Sequence, residues 1–92
     1  MGWQLRSLVE LHWYRWNDEW VAFDVGSGQT HQMDTLSAVT LLFLEISPAD
    51  SQELATQVAE ELQIPESSEY LNSLNDVLGR LETSGLIETT SQ

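Results

Sequence analysis

The 92-residue sequence contains no cysteine and no lysine. Without cysteine there is no disulfide framework, no thiolate metal site and no cysteine nucleophile, which fits a reducing cytoplasm. Without lysine, the basic groups are Arg6, Arg15 and Arg80 alone, set against fifteen carboxylates for a formal net charge of −12. Such a surface repels phosphate backbones and anionic headgroups, so nucleic acid and membrane are poor partners. A basic or mixed-charge peptide, or a protein with a basic face, is a better one. Long apolar runs are missing too. The longest, around Leu41 to Leu44, is far too short to cross a bilayer. The opening Met1-Gly2-Trp3-Gln4-Leu5-Arg6 lacks the apolar core of a signal peptide, and Arg6 stands where an acylation signal needs Ser or Thr. These features describe a soluble cytoplasmic protein.

Metal-binding and nucleotide-binding patterns are also absent. The only histidines are His12 and His31, with no HxxxH or HExxH pair and no calcium-loop pattern. Gly26-Ser27-Gly28 leads into a strand pattern, so it does not make a phosphate cradle at a helix start. No cofactor and no metal are expected.

What remains is a chain with 41% hydrophobic residues, enough for one modest core and so for a single domain over residues 1–92. Bulky residues alternate in "LHWYRW" (11–16) and "WVAFDV" (20–25). With Asn17, Asp18 and Glu19 as the loop, Trp16 faces Trp20, Trp13 faces Phe23 and Leu11 faces Val25. One face then carries Leu11, Trp13, Val21, Phe23 and Val25. The other carries His12, Tyr14, Trp16, Trp20 and Ala22. The glycines at 26 and 28 mark a second turn, and "QTHQM" (29–33) reads as a short polar strand left on the edge.

The rest is helical. Asp34 or Thr35 caps a helix over about 35–46, whose "LLFL" makes it central and buried, and Ser47-Pro48 stops it. Asp50 and Glu53 form an acidic capping box for a second helix, about 50–62. Ser67 or Ser68 caps a third, about 68–84, with Leu71, Leu74, Val77, Leu78 and Leu81 on its inner face. Gly85 followed by Leu86 suits a Schellman ending, and "LIE" offers a short closing strand. The fold class is α+β: a three-stranded antiparallel β-meander followed by three helices, in a winged-helix-like arrangement. DNA recognition does not follow from it. The third helix offers Arg80 alone against Glu69, Asp76 and Glu82, and the link at 63–67 is longer than the tight turn of a DNA-reading motif.

Catalysis finds little footing. As a general base, His31 needs a nucleophile and an orienting partner, yet strand alternation puts neighbouring Thr30 on the opposite face. The carboxylates lie mostly on solvent faces of helices. Two features do suggest a surface at work. The aromatics Trp3, His12, Tyr14, Trp16 and Trp20 either cover the core or, through Tyr14, Trp16 and Trp20, meet a folded partner as a small adaptor would. The polar strand 29–33 exposes backbone donors and acceptors that accept an extended peptide, or a second copy of the chain in a homodimer.

The order "WVAFDVGSGQTHQMDTLSAVTLLFLEI", a proline-interrupted link, "LATQVAEEL" and "LNSLNDVLGRLETSGLIE" resembles the PqqD-like family over about residues 12 to 88. More narrowly it resembles the PqqD-type peptide chaperones associated with an HPr-kinase-related protein. The resemblance implies a winged-helix-like, non-enzymatic protein that recognises the leader of a ribosomally made precursor peptide and delivers it to a modifying enzyme. It further implies that the leader adds as a strand beside Gln29, Thr30, His31, Gln32 and Met33, in a cleft where Leu71, Asn75 and Leu78 of the third helix supply side-chain pockets. Ser47-Pro48 departs from the family pattern, where an acidic residue with glycine is common, and the aromatic stretch before residue 21 is richer.

Overall fold

The computed structural model describes residues 2–90. Each of its helices begins where a short polar side chain satisfies backbone N–H groups that a first turn leaves without partners. Asp34 accepts from the Ser37 N–H at 2.8 Å and opens α1 (Thr35–Ile46). Asp50 and Glu53 form the expected reciprocal capping box at α2 (Ser51–Leu62), with the Glu53 N–H donating to Asp50 at 2.7 Å. Ser67 accepts from the Tyr70 N–H at 3.1 Å and opens α3 (Ser68–Thr83).

The helix ends are equally local. Ser47, ahead of Pro48, is extended at φ −165° and ends α1. Gly85 sits at φ +81°, its N–H donating to Glu82 O at 3.0 Å while the Leu86 N–H reaches Leu81 O at 3.1 Å, the Schellman pattern expected from the sequence. Helix α2 closes the same way with a residue that has a side chain: Gln63 is left-handed at φ +56°, and the Ile64 N–H donates to Ala59 O at 3.0 Å.

Leu41, Leu54, Val58, Leu74, Val77, Leu86 and Ile87 are all fully buried and make up most of the core between the three helices. The Tyr70 hydroxyl donates to Ala55 O at 2.6 Å and ties α3 to α2.

Two three-stranded antiparallel sheets flank this core. Strand β1 (Gly2–Leu5) lies between β5 (Ala49–Asp50) and β6 (Ile87–Thr89). Of these three, only β6 follows from the sequence pattern; β1 and β5 are too short to show alternation, and their partners are remote in the chain. Trp3 therefore belongs to this sheet, its Nε1 donating to Ser51 Oγ at 3.0 Å, and stands apart from the other aromatics.

The second sheet is the expected meander, in the order β2 (Leu11–Trp16), β3 (Glu19–Asp24), β4 (Gln29–Met33). Its register differs from the sequence expectation by one residue. Asn17 at φ +50° and Asp18 at φ +64° make a two-residue turn, so Glu19 joins β3 and pairs with Trp16, Trp20 pairs with Arg15, and Ala22 pairs with Trp13. Two left-handed residues suit a tight hairpin, and the shorter loop exchanges the faces of β3. The inner face thus carries Leu11, Trp13, Trp20, Ala22, Asp24, His31 and Met33. The outer face carries His12, Tyr14, Trp16, Val21, Phe23, Thr30 and Gln32. Val25 lies beyond the strand and is exposed.

Because Gln63 bears a Cβ in a conformation that favours glycine, Gln63→Gly should raise stability by about 0.5–1 kcal/mol. The opposite change at the other helix end, Gly85→Ala, should lower it by about 1 kcal/mol. Urea denaturation of both variants checks the pair.

Candidate functional site

Strand β4 pairs with β3 on one side only. In a two-residue hairpin the residues flanking the turn, Trp16 and Glu19, are a hydrogen-bonded pair, and bonding alternates from there. The Val25 N–H donating to Glu10 O at 2.9 Å keeps the same parity. Tyr14 and His12 therefore bond to Val21 and Phe23, while Trp20, Ala22 and Asp24 turn their backbone groups to Met33, His31 and Gln29 of β4. It follows that Thr30 and Gln32 direct their N–H and C=O groups outward, away from the sheet.

The start of this edge is fastened by Asp24, which is 5% exposed. Its Oδ1 accepts from the Glu10 N–H at 3.2 Å and the Gly26 N–H at 3.0 Å, and its Oδ2 accepts from Ser27 Oγ at 2.9 Å. Ser27 Oγ in turn accepts from the Gln29 N–H at 3.2 Å. Gly26 leaves room for the Leu8 carbonyl, which occupies the place a Cβ would take, and Gly28 completes the turn at φ +77°. Burial pushes the Asp24 carboxyl upward. The bonds from Ser27, Glu10 and Gly26, with the charge of His31, outweigh it and hold the pKa below its ordinary value.

Beside β4, a cleft of about 150 Å³ opens toward the C-terminal half of α3. Met33, Leu81 and Leu86 line it with apolar surface, and His31, Gln32, Asp34, Ser37, Arg80 and Ser84 with polar groups. None of the three α3 residues that the family resemblance indicated lines this cleft. Leu78 is 2% exposed and belongs to the core, so it is not a surface contact. Leu71 and Asn75 do not line the cleft; at 3.6 residues per turn they lie about half a turn round the helix from Arg80 and Ser84. The sequence shows the width of the buried arc but not which of its edges abuts β4.

His31 is half-buried on the inner face, and its Nε2 is buried without a hydrogen-bond partner. The hydroxyls adjacent in sequence serve other groups or faces: Ser27 donates to Asp24, and Thr30 lies on the outer face. His12 and His31 occupy opposite faces of the sheet. Among the described residues no cluster of three His, Asp or Glu side chains is arranged to hold a metal ion.

The aromatic trio divides. Tyr14 and Trp16 are 58% and 72% exposed on the outer face, next to Val21 and Phe23. Trp20 faces inward, edge-on to Trp13 at 6.0 Å, with the Arg15 guanidinium 4.4 Å above its ring and its Nε1 buried without a partner. Trp20 is therefore half-buried on the opposite face from Tyr14 and Trp16, a consequence of the shorter turn.

No protein-family model and no curated protein matches the chain. Among solved structures, TbiB1, in complex with the TbiA(beta) leader peptide, superposes with a TM-score of 0.68 over 97% of this chain and 99% of its own, at 17% identity. The chain shares its fold with TbiB1. At the level of fold this agrees with the PqqD-like resemblance read in the sequence. No helix among the described residues is long and apolar enough to cross a membrane.

Asp24→Ala strands the N–H groups of Glu10 and Gly26 and should cost about 1–3 kcal/mol in urea denaturation. The folded carboxyl titrates below the unfolded one, so its stabilisation is present above the ordinary carboxylate pKa and is lost as pH falls through the folded value. The stability curves of the wild type and Asp24→Asn should therefore converge below about pH 4.

Proposed function

We propose that this protein binds the leader of a ribosomally made precursor peptide as an added strand beside β4 and presents it, without chemistry of its own, to a peptide-modifying enzyme or an HPr-kinase-related protein in the cytoplasm. The observation that carries the reading is the open edge itself. Thr30 and Gln32 offer unpaired backbone donors and acceptors next to a cleft fit for side chains. TbiB1, which has the same fold, was solved with a leader peptide bound, and that supports a peptide as the occupant. Gln29, His31 and Met33 set the edge in place through their bonds to β3, and His31 contacts the client without moving a proton. The same edge would also pair two copies of the chain, so a homodimer would compete with the client.

The exposure of Tyr14 and Trp16 favours a second role for the outer face, the docking of a folded protein. The two roles are compatible. A strand added beside β4 extends the sheet, so every second side chain of the client emerges on the same face as Tyr14 and Trp16. An enzyme seated there meets the sheet and the client together.

Proline is tolerated on an edge strand where the lost N–H points outward. Thr30→Pro and Gln32→Pro should each remain folded while losing tenfold or more in affinity for a leader peptide, roughly the net worth of one or two hydrogen bonds. Titration calorimetry beside a thermal melt separates the two effects. A folded variant that binds as well as the wild type would overturn strand addition. Trp16→Ala should leave peptide affinity unchanged and weaken enzyme capture, as a pull-down with the modifying enzyme would report. Loss of leader binding in that variant would assign Trp16 to the client instead.

A further inference from the structure

The cleft beside β4 carries a cation in a chain that has very few. Arg80 lines it from α3, and among the described residues no carboxylate lies within 4.0 Å of its guanidinium. That is unexpected in a protein with fifteen Asp and Glu against three Arg. Asp76 stands one turn before Arg80 on the same helix, an acid-before-base spacing that commonly pairs, and it does not pair. Arg15 is stacked on Trp20. Asp34, across the cleft, spends its carboxylate on the Ser37 N–H as the cap of α1. Burial raises the Asp34 pKa, while the Ser37 bonds and the charge of Arg80 bring it below the ordinary value. Arg80 thus acts on Asp34 at a distance and keeps its own donors free.

The shape of the cleft adds a second observation. Met33, Leu81 and Leu86 form an apolar floor, while Arg80, Ser37, Ser84, His31 and Gln32 supply polar groups, and the one carboxylate on the rim, Asp34, is already engaged by the Ser37 N–H. A volume of about 150 Å³ is enough to receive a side chain of the client. In a strand added beside β4, alternate side chains lie on the face shared by His31 and Met33, and these point toward α3. An incoming residue with an aliphatic stem and a carboxylate end would lay its methylenes on the floor and give its oxygens to the guanidinium, whose planar fork matches a carboxylate.

We propose that the cleft is a subsite for a single acidic side chain of the client peptide, held by Arg80, so that this arginine sets which register of the peptide is accepted. The proposal rests on the peptide-binding reading and extends it to the chemistry of one client position. The net charge of the protein sharpens the choice: an acidic residue elsewhere along the bound segment meets repulsion, and at this position it meets the cation.

The test uses the full chain and a displayed library of short random peptides, selected separately on wild type and on Arg80→Glu, with Thr30→Pro as the control for binding at β4. Arg80 is exposed, and matched thermal melts verify that its variants fold. Wild-type selection should yield peptides that need an intact Thr30 edge and carry Glu at one recurring position, and Arg80→Glu should replace that Glu by Lys or Arg. For one selected peptide, Arg80→Gln and the peptide's own Glu→Gln should each weaken binding by about tenfold, and both together by little more than either. Edge-dependent peptides with no acidic preference, or unchanged affinity in Arg80→Gln, overturn the subsite and leave strand addition standing. Selected peptides that ignore Thr30→Pro overturn strand addition and the subsite with it.

Discussion

The meander depends on a turn of two residues. Asn17 and Asp18 both adopt positive φ, which places Glu19 opposite Trp16 and fixes the parity of every pair that follows. From that parity come the burial of Ala22 and Asp24, the inward turn of Trp20, and the outward backbone of Thr30 and Gln32. One more residue in the turn would turn β3 over, putting Val21 and Phe23 against the helices and Asp24 into solvent. The carboxylate would then have no N–H groups of Glu10 and Gly26 to gather, and the start of β4 would lose its anchor. Edge, cleft and exposed aromatics are downstream of this turn.

Asp24 converts the register into a shaped site. A buried carboxylate is tolerated when its oxygens are satisfied, and this one binds three groups from two chain segments, at residue 10 and at residues 26 and 27. It holds the segment entering β2 against the turn leaving β3. The strand that starts three residues after this knot needs no partner on its far side to stay ordered. A polar edge already held in place by its own sheet loses little conformational entropy if a further strand is added to it.

What could be read from the sequence divides along the range of the interactions involved. The helices were legible to within a residue because their caps act over three to five positions: Asp34 to Ser37, Asp50 to Glu53, Ser67 to Tyr70 and Leu81 to Leu86. The strands of the meander were legible from alternation, but their register was not, since Asn-Asp-Glu reads equally as a loop of three or as a turn of two plus a strand residue. Strands β1 and β5 were invisible because their partners come from distant parts of the chain. The edge at 29–33 was legible as a polar strand, while the part of α3 that lines the cleft beside it was not. The leucine periodicity of α3 reports that an arc is buried, whereas only the packed structure shows that Arg80 and Ser84, not Leu71 and Asn75, border β4.

The sheet that sequence reading missed has a bearing on how the molecule forms. Strand β1 pairs with β6, and the Thr90 N–H donates to Gly2 O at 2.8 Å, joining positions at the two extremes of the described chain. During synthesis from the N-terminus, the strands of the meander have their partners early, whereas β1 must wait for residues 87–89 to emerge before its second edge is covered. Closing so large a loop is slow compared with forming hairpins and helices. The meander therefore takes shape first, and the seam between Gly2 and Thr90 closes last.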